Sequence, residues 1–173
     1  VTNLKSGGFV VAWRDDSGSS HNAGDGAGVG SGTDVWARVF NTDGSEALSE
    51  FRVNTSVTKS GNQYEPSVGA LDNGGFVVAW RDDSGSSHDA GDGAGAGSGY
   101  DVWARVFAAD GSEALSEFRV NASVTKSGSQ YQPAVTGLKD GGFVVTWGDD
   151  TGHSHDAVDG AGVGNSWDVW AQV

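Results

Sequence analysis

The chain has 173 residues, a formal net charge of −13 at pH 7, 29 glycines and no cysteine. This acidic balance argues against nucleic acid as a partner, because phosphate groups are bound by Lys and Arg, and it also argues against an anionic membrane surface. The lack of cysteine excludes a disulfide framework and thiol chemistry, and no apolar run is long enough to insert into a membrane.

One sequence segment occurs three times in the chain. "GGFVVAWRDDSGSSH" begins at Gly7 and again at Gly74, and a looser copy, "GGFVVTWGDDTGHSH", begins at Gly141, so successive copies are 67 residues apart. A fixed spacing of this size indicates a repeat architecture. We expect the chain to be a segment of a longer protein or a processed product. The predicted units are repeat 1 at 1–56, incomplete at its N-terminus, repeat 2 at 57–123, and repeat 3 at 124–173, incomplete at its C-terminus.

Each repeat contains four strand-like segments and no useful length of helical spacing. These segments are rich in β-branched and aromatic residues, which favour strands. Asp-Gly pairs at 43–44 and 110–111 stand between the third and fourth segments and predict a hairpin turn there. In repeat 2 the predicted strands are 66–71 (PSVGAL), 74–80 (GGFVVAW), 101–107 (DVWARVF) and 114–121 (ALSEFRVN).

The apolar pattern predicts how these strands pack. Both faces of the third strand, 101–107, are largely apolar, and such a strand needs packed neighbours above and below. On the fourth strand Glu117, Arg119 and Asn121 share one side, which favours a position at an outer edge. The tryptophans that recur twice in each repeat lie within strands, so we expect them to pack in the core.

A small inner strand, two doubly buried middle strands and a polar outer strand are typical of a β-propeller blade. The predicted fold is therefore all-β, with tandem four-stranded antiparallel β-meander repeats forming blades. Closed propellers have about four to eight blades, so three cannot close a ring. The chain is expected to self-associate with further copies of the repeat, and an open β-solenoid or a stacked filament of the same units is the alternative.

Three segments carry a resemblance to a known class of proteins. "QYEPSVGALDNGGFVVAW", "DVWARVFNTDG" and "SEFRVNTS" resemble the tandem repeats of very large secreted bacterial proteins, which are often calcium-binding adhesins of the repeats-in-toxin type. The resemblance implies an extracellular or cell-surface location, and it does not imply an enzymatic activity.

A loop of constant length follows the second strand of each repeat. It reads "RDDSGSSHNAGDGAGVGSGT" in repeat 1 and differs at only three positions in repeat 2. Calcium takes about six to eight oxygen ligands, and glycines let backbone carbonyls turn toward an ion. The loops therefore suit calcium, whereas the alternative is a solvated loop without metal. The predicted ligands are Asp15, Asp16, Asp25 and Asp34 in repeat 1, Asp82, Asp83, Asp92 and Asp101 in repeat 2, and Asp149, Asp150, Asp159 and Asp168 in repeat 3.

Three further features of the sequence suggest sites. Asn54 and Asn121 begin N-glycosylation sequons at equivalent positions of the fourth strand. Trp167 replaces Thr33 and Tyr100 in the loop and is a candidate contact for a glycan or another partner. Histidines at 21, 88, 153 and 155 could ligate a transition metal, although one His per unit is more typical of a surface residue.

The sequence lacks the nucleophile elbow, the Gly-rich phosphate loop and the zinc-protease motif that would indicate an enzyme. Three identical copies of Asp15-Asp16 also argue against catalysis, because an active site is usually singular. The expected function is a non-enzymatic extracellular structural or adhesive repeat protein, with calcium-ordered loops and assembly into a fibre. A carbohydrate-binding, lectin-like propeller module is the alternative.

Overall fold

A computed structural model describes residues 1–16, 32–55, 61–83, 99–122, 129–150 and 168–173. At positions 168 and 170 it describes the backbone but not the side chain. In these ranges the chain is all-β, and eleven strands form three antiparallel sheets. No helix that could cross a membrane occurs in the described part of the chain.

The strands of each sheet follow one another in chain order, so each sheet is a meander. Sheet 1 contains β1 (Thr2–Asn3), β2 (Phe9–Asp15), β3 (Asp34–Phe40) and β4 (Glu46–Arg52). Sheet 2 contains β5 (Gln63–Ala70), β6 (Phe76–Asp82), β7 (Asp101–Phe107) and β8 (Glu113–Arg119). Sheet 3 contains β9 (Gln130–Gly137), β10 (Phe143–Asp149) and β11 (Asp168–Gln172).

The prediction of all-β structure is confirmed, and the third strand of repeat 2 has the predicted bounds. The first strand begins earlier than predicted, because Gln63 and Tyr64 pair with β6 before an irregularity in the register. Glu65 lies at this irregularity with φ of 53°, a left-handed conformation that is uncommon for a residue with a side chain. The sequence pattern does not show that a strand continues through such a bulge.

The second and third strands of every sheet, in chain order, pair in the same register. Trp13 lies opposite Trp36, Trp80 opposite Trp103, and residue 147 opposite 170. The hairpin turns at 43–44 and 110–111 are also confirmed, and Gly44 and Gly111 both have φ of 81°. The three sheets are therefore built from the same local interactions.

Sheet 2 lies between sheets 1 and 3 and is covered on both faces, as its apolar pattern predicted. One face packs against sheet 1 through Phe76, Val78, Trp80, Trp103 and Phe107. The opposite face packs against sheet 3 mainly through Val77, Ala79, Val102, Ala104 and Val106.

Sheets 2 and 3 approach most closely along their first strands, β5 and β9, whereas sheet 1 meets β5 mainly through its second strand, β2. A Cβ atom added at Gly69 would lie 3.2 Å from the Val135 carbonyl oxygen, and one added at Gly137 would clash with the backbone at Ala70. Glycine is needed at Gly137, and a larger residue at Gly69 would make a tight contact, because the two backbones lie against each other.

Candidate functional site at the sheet interfaces

Four polar side chains meet between sheets 1 and 2, and we call them the first interface network. Asp34 begins β3, Asn54 follows β4, Gln63 begins β5 and Asp82 ends β6. Their exposed fractions are 5%, 0%, 0% and 2%. Buried polar groups need hydrogen-bond partners, so the geometry of this set decides whether it stabilises the interface.

The first interface network forms an unbroken path of hydrogen bonds from sheet 1 to sheet 2. Asn54 Nδ2 donates to Asp34 Oδ1 and to Gln63 Oε1, both at 2.8 Å. Gln63 Nε2 donates to Asp82 Oδ1 at 2.7 Å, and the Val35 amide donates to Asn54 Oδ1 at 2.9 Å. Asn54 therefore uses its carbonyl oxygen and its amide nitrogen to join its own sheet to the next.

The second interface network repeats this arrangement 67 residues later, between sheets 2 and 3, with Asp101, Asn121, Gln130 and Asp149. Asn121 Nδ2 donates to Asp101 Oδ1 at 2.8 Å and to Gln130 Oε1 at 2.7 Å. Gln130 Nε2 donates to Asp149 Oδ1 at 3.2 Å, and the Val102 amide donates to Asn121 Oδ1 at 3.0 Å. The same device thus occurs at both interfaces.

A buried arginine accompanies the first carboxylate of each network. Arg52 Nη1 lies 3.6 Å from Asp34 Oδ2, and Arg119 Nη1 lies 3.7 Å from Asp101 Oδ2. The fourth strand of sheet 2, β8, lies at the edge of its sheet, as predicted. Arg119 on β8 and Asn121 just after it nevertheless point into the interface and are buried. Positive charge beside a buried carboxylate offsets part of its desolvation.

The predicted calcium ligands fall into three groups. Asp34, Asp82, Asp101 and Asp149 lie in the interface networks, where amide groups donate to their carboxylates. Asp25, Asp92 and Asp159 lie outside the described residues, and only the backbone of Asp168 is described.

The remaining candidate ligands lie beside the networks. Asp15 pairs with Asp34 across β2 and β3, and Asp16 is exposed. Asp83 accepts hydrogen bonds from the backbone and side chain of Asn62, and Asp150 accepts one from the Ser129 amide at 2.9 Å. The described ranges contain no group of three or more His, Cys, Asp or Glu side chains placed to hold a metal ion. Calcium binding by the loops stays a prediction.

The two sequon asparagines are the central residues of the interface networks. Asn54 and Asn121 have no exposed surface, and each Nδ2 atom donates to two acceptors. A glycan on Nδ2 would have to displace these hydrogen bonds and separate the sheets. The folded structure therefore gives the predicted glycosylation no support.

Only some of the tryptophans and histidines considered in the sequence lie within the described residues. Trp80, Trp103 and Trp147 are buried in the core between sheets, which confirms core packing for these three residues. Trp36 is also buried, but on the side of sheet 1 that faces away from sheet 2. Trp167 and the loop histidines at 21, 88, 153 and 155 lie outside the described residues.

A cluster of tyrosines around Arg81 also joins sheets 2 and 3, and sequence reasoning missed it. The guanidinium carbon lies 4.8, 4.4 and 5.2 Å from the ring centroids of Tyr64, Tyr100 and Tyr131. Contacts of this kind between a cation and an aromatic ring are attractive. The recurrence of "QY" at 63–64 and 130–131 is the signal that could have identified both this cluster and the glutamines.

The bulges that follow these tyrosines touch each other across the same interface. Glu65 and Gln132 both have positive φ, at 53° and 50°. The Gln132 amide donates to Glu65 Oε2 at 2.8 Å. Strained backbone persists only where surrounding contacts hold it, and this hydrogen bond is one such contact.

A cavity of about 270 Å³ lies where the three sheets converge at the ends of their first strands. Equivalent residues of the three repeats line it, and at one position the sequence alternates Lys5, Asp72 and Lys139. Lys5 forms an ion pair with Asp72. This pair joins sheets 1 and 2 at the surface, where an exposed ion pair contributes little to stability.

Taken together, these contacts hold successive sheets in one register. The resemblance to secreted bacterial repeats stays a prediction. Comparisons of the chain with protein-family models, with curated proteins and with solved structures find no match.

Proposed function

We propose that the chain belongs to a non-enzymatic extracellular repeat protein of structural or adhesive function, in which each 67-residue unit is a propeller-like blade joined to the next by an interface network. One observation carries this proposal: the same four-residue network occurs at both sheet interfaces. Repeat arrays gain their stability from such neighbour contacts. A network copied at both interfaces suits assembly better than it suits a single reaction centre.

The packing of the sheets supports a blade-like arrangement. The first strands of sheets 2 and 3 lie against each other, and Gly69 and Gly137 lie at this contact. Blades packed around an axis converge on their inner strands, and the cavity lined by all three repeats lies on that side.

An extracellular structural or adhesive role makes a simple prediction about location. Antibodies raised against the chain should label intact source cells, and protease treatment of those cells should remove the label. A cytoplasmic protein of the same cells is the control for integrity. Labelling that needs permeabilised cells would contradict the extracellular part of the proposal and leave the interface networks unaffected.

Calcium is a second part of the proposal and has its own test. If the Asp/Gly loops bind calcium, the ion stabilises the folded chain by about 2.7 kcal/mol when its concentration is about 100 times Kd. For a chain of this size that corresponds to a rise of about 5–10 °C in Tm. Differential scanning calorimetry with calcium, with magnesium and with chelator measures the effect.

A triple variant identifies the source of any calcium effect. Asp25→Asn, Asp92→Asn and Asp159→Asn together should abolish the calcium-dependent rise in Tm. The matched control carries Asp43→Asn, Asp110→Asn and Asp140→Asn, which make the same chemical change outside the loops, and it should keep the rise. A wild-type Tm that is the same with calcium and with chelator would remove calcium from the proposal.

A further inference from the structure

The outer face of sheet 1 is a copy of a face that sheet 2 buries. On sheet 2 the five residues that pack against sheet 1 are almost completely buried. Their equivalents on sheet 1 point away from sheet 2, and four of the five are only partly buried. We define this outer face of sheet 1 by Phe9, Val11, Trp13, Trp36 and Phe40, which match Phe76, Val78, Trp80, Trp103 and Phe107 residue for residue.

The aromatic part of this face already has the geometry of an occupied interface. The rings of Phe9 and Phe40 stack at 4.8 Å with an angle of 14° between their planes. The equivalent rings in the buried interface, Phe76 and Phe107, stack at 4.9 Å with an angle of 17°. No rearrangement of this pair is needed before a second sheet packs on it.

The outer face of sheet 3 is the complementary surface. Sheet 1 contributes six buried residues to its interface with sheet 2, namely Leu4, Val10, Val35, Ala37, Val39 and Val53. Five of these have identical equivalents in repeat 3, namely Leu138, Val144, Val169, Ala171 and Val173. Val169 and Val173 are 82% and 87% exposed. An exposed apolar surface whose internal counterpart is buried marks an interaction site.

We propose that the outer face of sheet 1 binds the outer face of sheet 3 of a second copy of this chain, in a head-to-tail contact that reproduces the apolar packing between sheets 1 and 2. This inference rests on the proposed function and adds the partner and the contact surface. The contact is heterologous, so it generates a closed ring or an open filament.

Arg38 is the polar residue of this contact surface. Its equivalent, Arg105, donates from Nη1 to the Val53 carbonyl oxygen and to Thr55 Oγ1, both at 2.7 Å, across the first interface. Glu113 and Glu46, which are equivalent, hold Arg105 and Arg38 respectively.

Sedimentation equilibrium of the chain from micromolar to millimolar concentration tests the proposal. We expect the mass to rise from 17.7 kDa to at least twice that value. Val11→Asp and Val169→Asp, each placing a carboxylate in one of the two surfaces, should each lower the association constant at least tenfold. Ala109→Asp adds the same charge at an exposed turn of sheet 2 and should leave association unchanged.

Mixing the two variants distinguishes a head-to-tail contact from a symmetric one. A chain with Val11→Asp keeps an intact sheet 3 surface, and a chain with Val169→Asp keeps an intact sheet 1 surface. The mixture should therefore form a dimer through one intact contact, with an association constant at least tenfold above that of either variant alone. Wild type that stays monomeric throughout, or a mixture that fails to associate when wild type does, would overturn the inference. The interface networks within one chain would be untouched by either result.

Discussion

At the scale of single residues, Asn54 and Asn121 show how one side chain joins two repeats. Each satisfies a backbone amide of its own sheet, a carboxylate of its own sheet and a glutamine of the next. Asparagine suits this position because its amide both donates and accepts, whereas aspartate would place another acceptor against two acceptors. Sequence reasoning selected both asparagines as sequons on an exposed edge, and the stacking of the sheets buries them.

Replacement of Asn121 by alanine should be strongly destabilising. Asn121→Ala removes the donor to Asp101 and Gln130 and the acceptor of the Val102 amide, and all three groups stay buried. Unsatisfied buried polar groups are costly, so we expect a loss of about 3 kcal/mol in the free energy of unfolding, measured by urea denaturation.

The control is Asn41→Ala. Asn41 is exposed in the turn after β3, and the equivalent residue in repeat 2 is already alanine at position 108. This change should alter the free energy of unfolding by no more than about 0.5 kcal/mol. Equal effects of the two substitutions would show that the interface network contributes nothing beyond an ordinary exposed asparagine.

At the scale of secondary-structure elements, the hairpins after β3 and β7 are fixed by their own side chains. Asp110 Oδ1 accepts hydrogen bonds from the hydroxyl of Ser112 at 2.6 Å and from its amide at 2.9 Å, and Gly111 supplies the positive φ. These two hydrogen bonds lower the pKa of the Asp110 carboxyl below its usual value of 3.8, and the bond from the Ser112 hydroxyl has the larger effect.

The sign of the resulting pH dependence follows from that lowered pKa. The hydrogen bonds of Ser112 with the ionised Asp110 stabilise the folded chain. This contribution is fully present above the unfolded-state pKa of about 3.8 and is lost as the pH falls through the lower pKa of the folded state. Ser112→Ala removes the hydroxyl donor and should raise the pKa of Asp110 toward 3.8, as measured by NMR titration of the carboxyl carbon. Asp43, whose Ser45 is intact in this variant, is the internal control; an unchanged Asp110 titration would contradict the assignment.

The strand bounds were predicted correctly where the local sequence pattern determines them and missed where tertiary contacts determine them. The strand 101–107 was predicted correctly because its β-branched and aromatic residues are bounded by turn signals. The start of β5 was missed because Glu65 adopts a left-handed conformation that contacts in the next repeat stabilise. Gln63 belongs to no recognised motif, and its role depends on Asn54 and Asp82 from other strands.

At the scale of the whole molecule, the central sheet depends on both of its neighbours. Its two faces are apolar, and removal of either neighbour would expose one of them to water. Burial of sheet 2 on both sides was predictable from its sequence, since strands with two apolar faces need two neighbours. The contact surfaces on the outer faces of sheets 1 and 3 could not be predicted from the sequence. They are defined by the residues that the internal interfaces leave uncovered.

Native-state hydrogen exchange of the amides in β3 and β6 tests most directly whether the interface networks join the repeats into one cooperative body. Amides on the two sides of the first interface should exchange with one shared opening free energy, since neither sheet opens without exposing the other. Asn54→Ala should lower that value and separate the two strands. Different opening free energies for β3 and β6 in the wild-type chain would show that the repeats open independently, and this would contradict the proposed role of the networks.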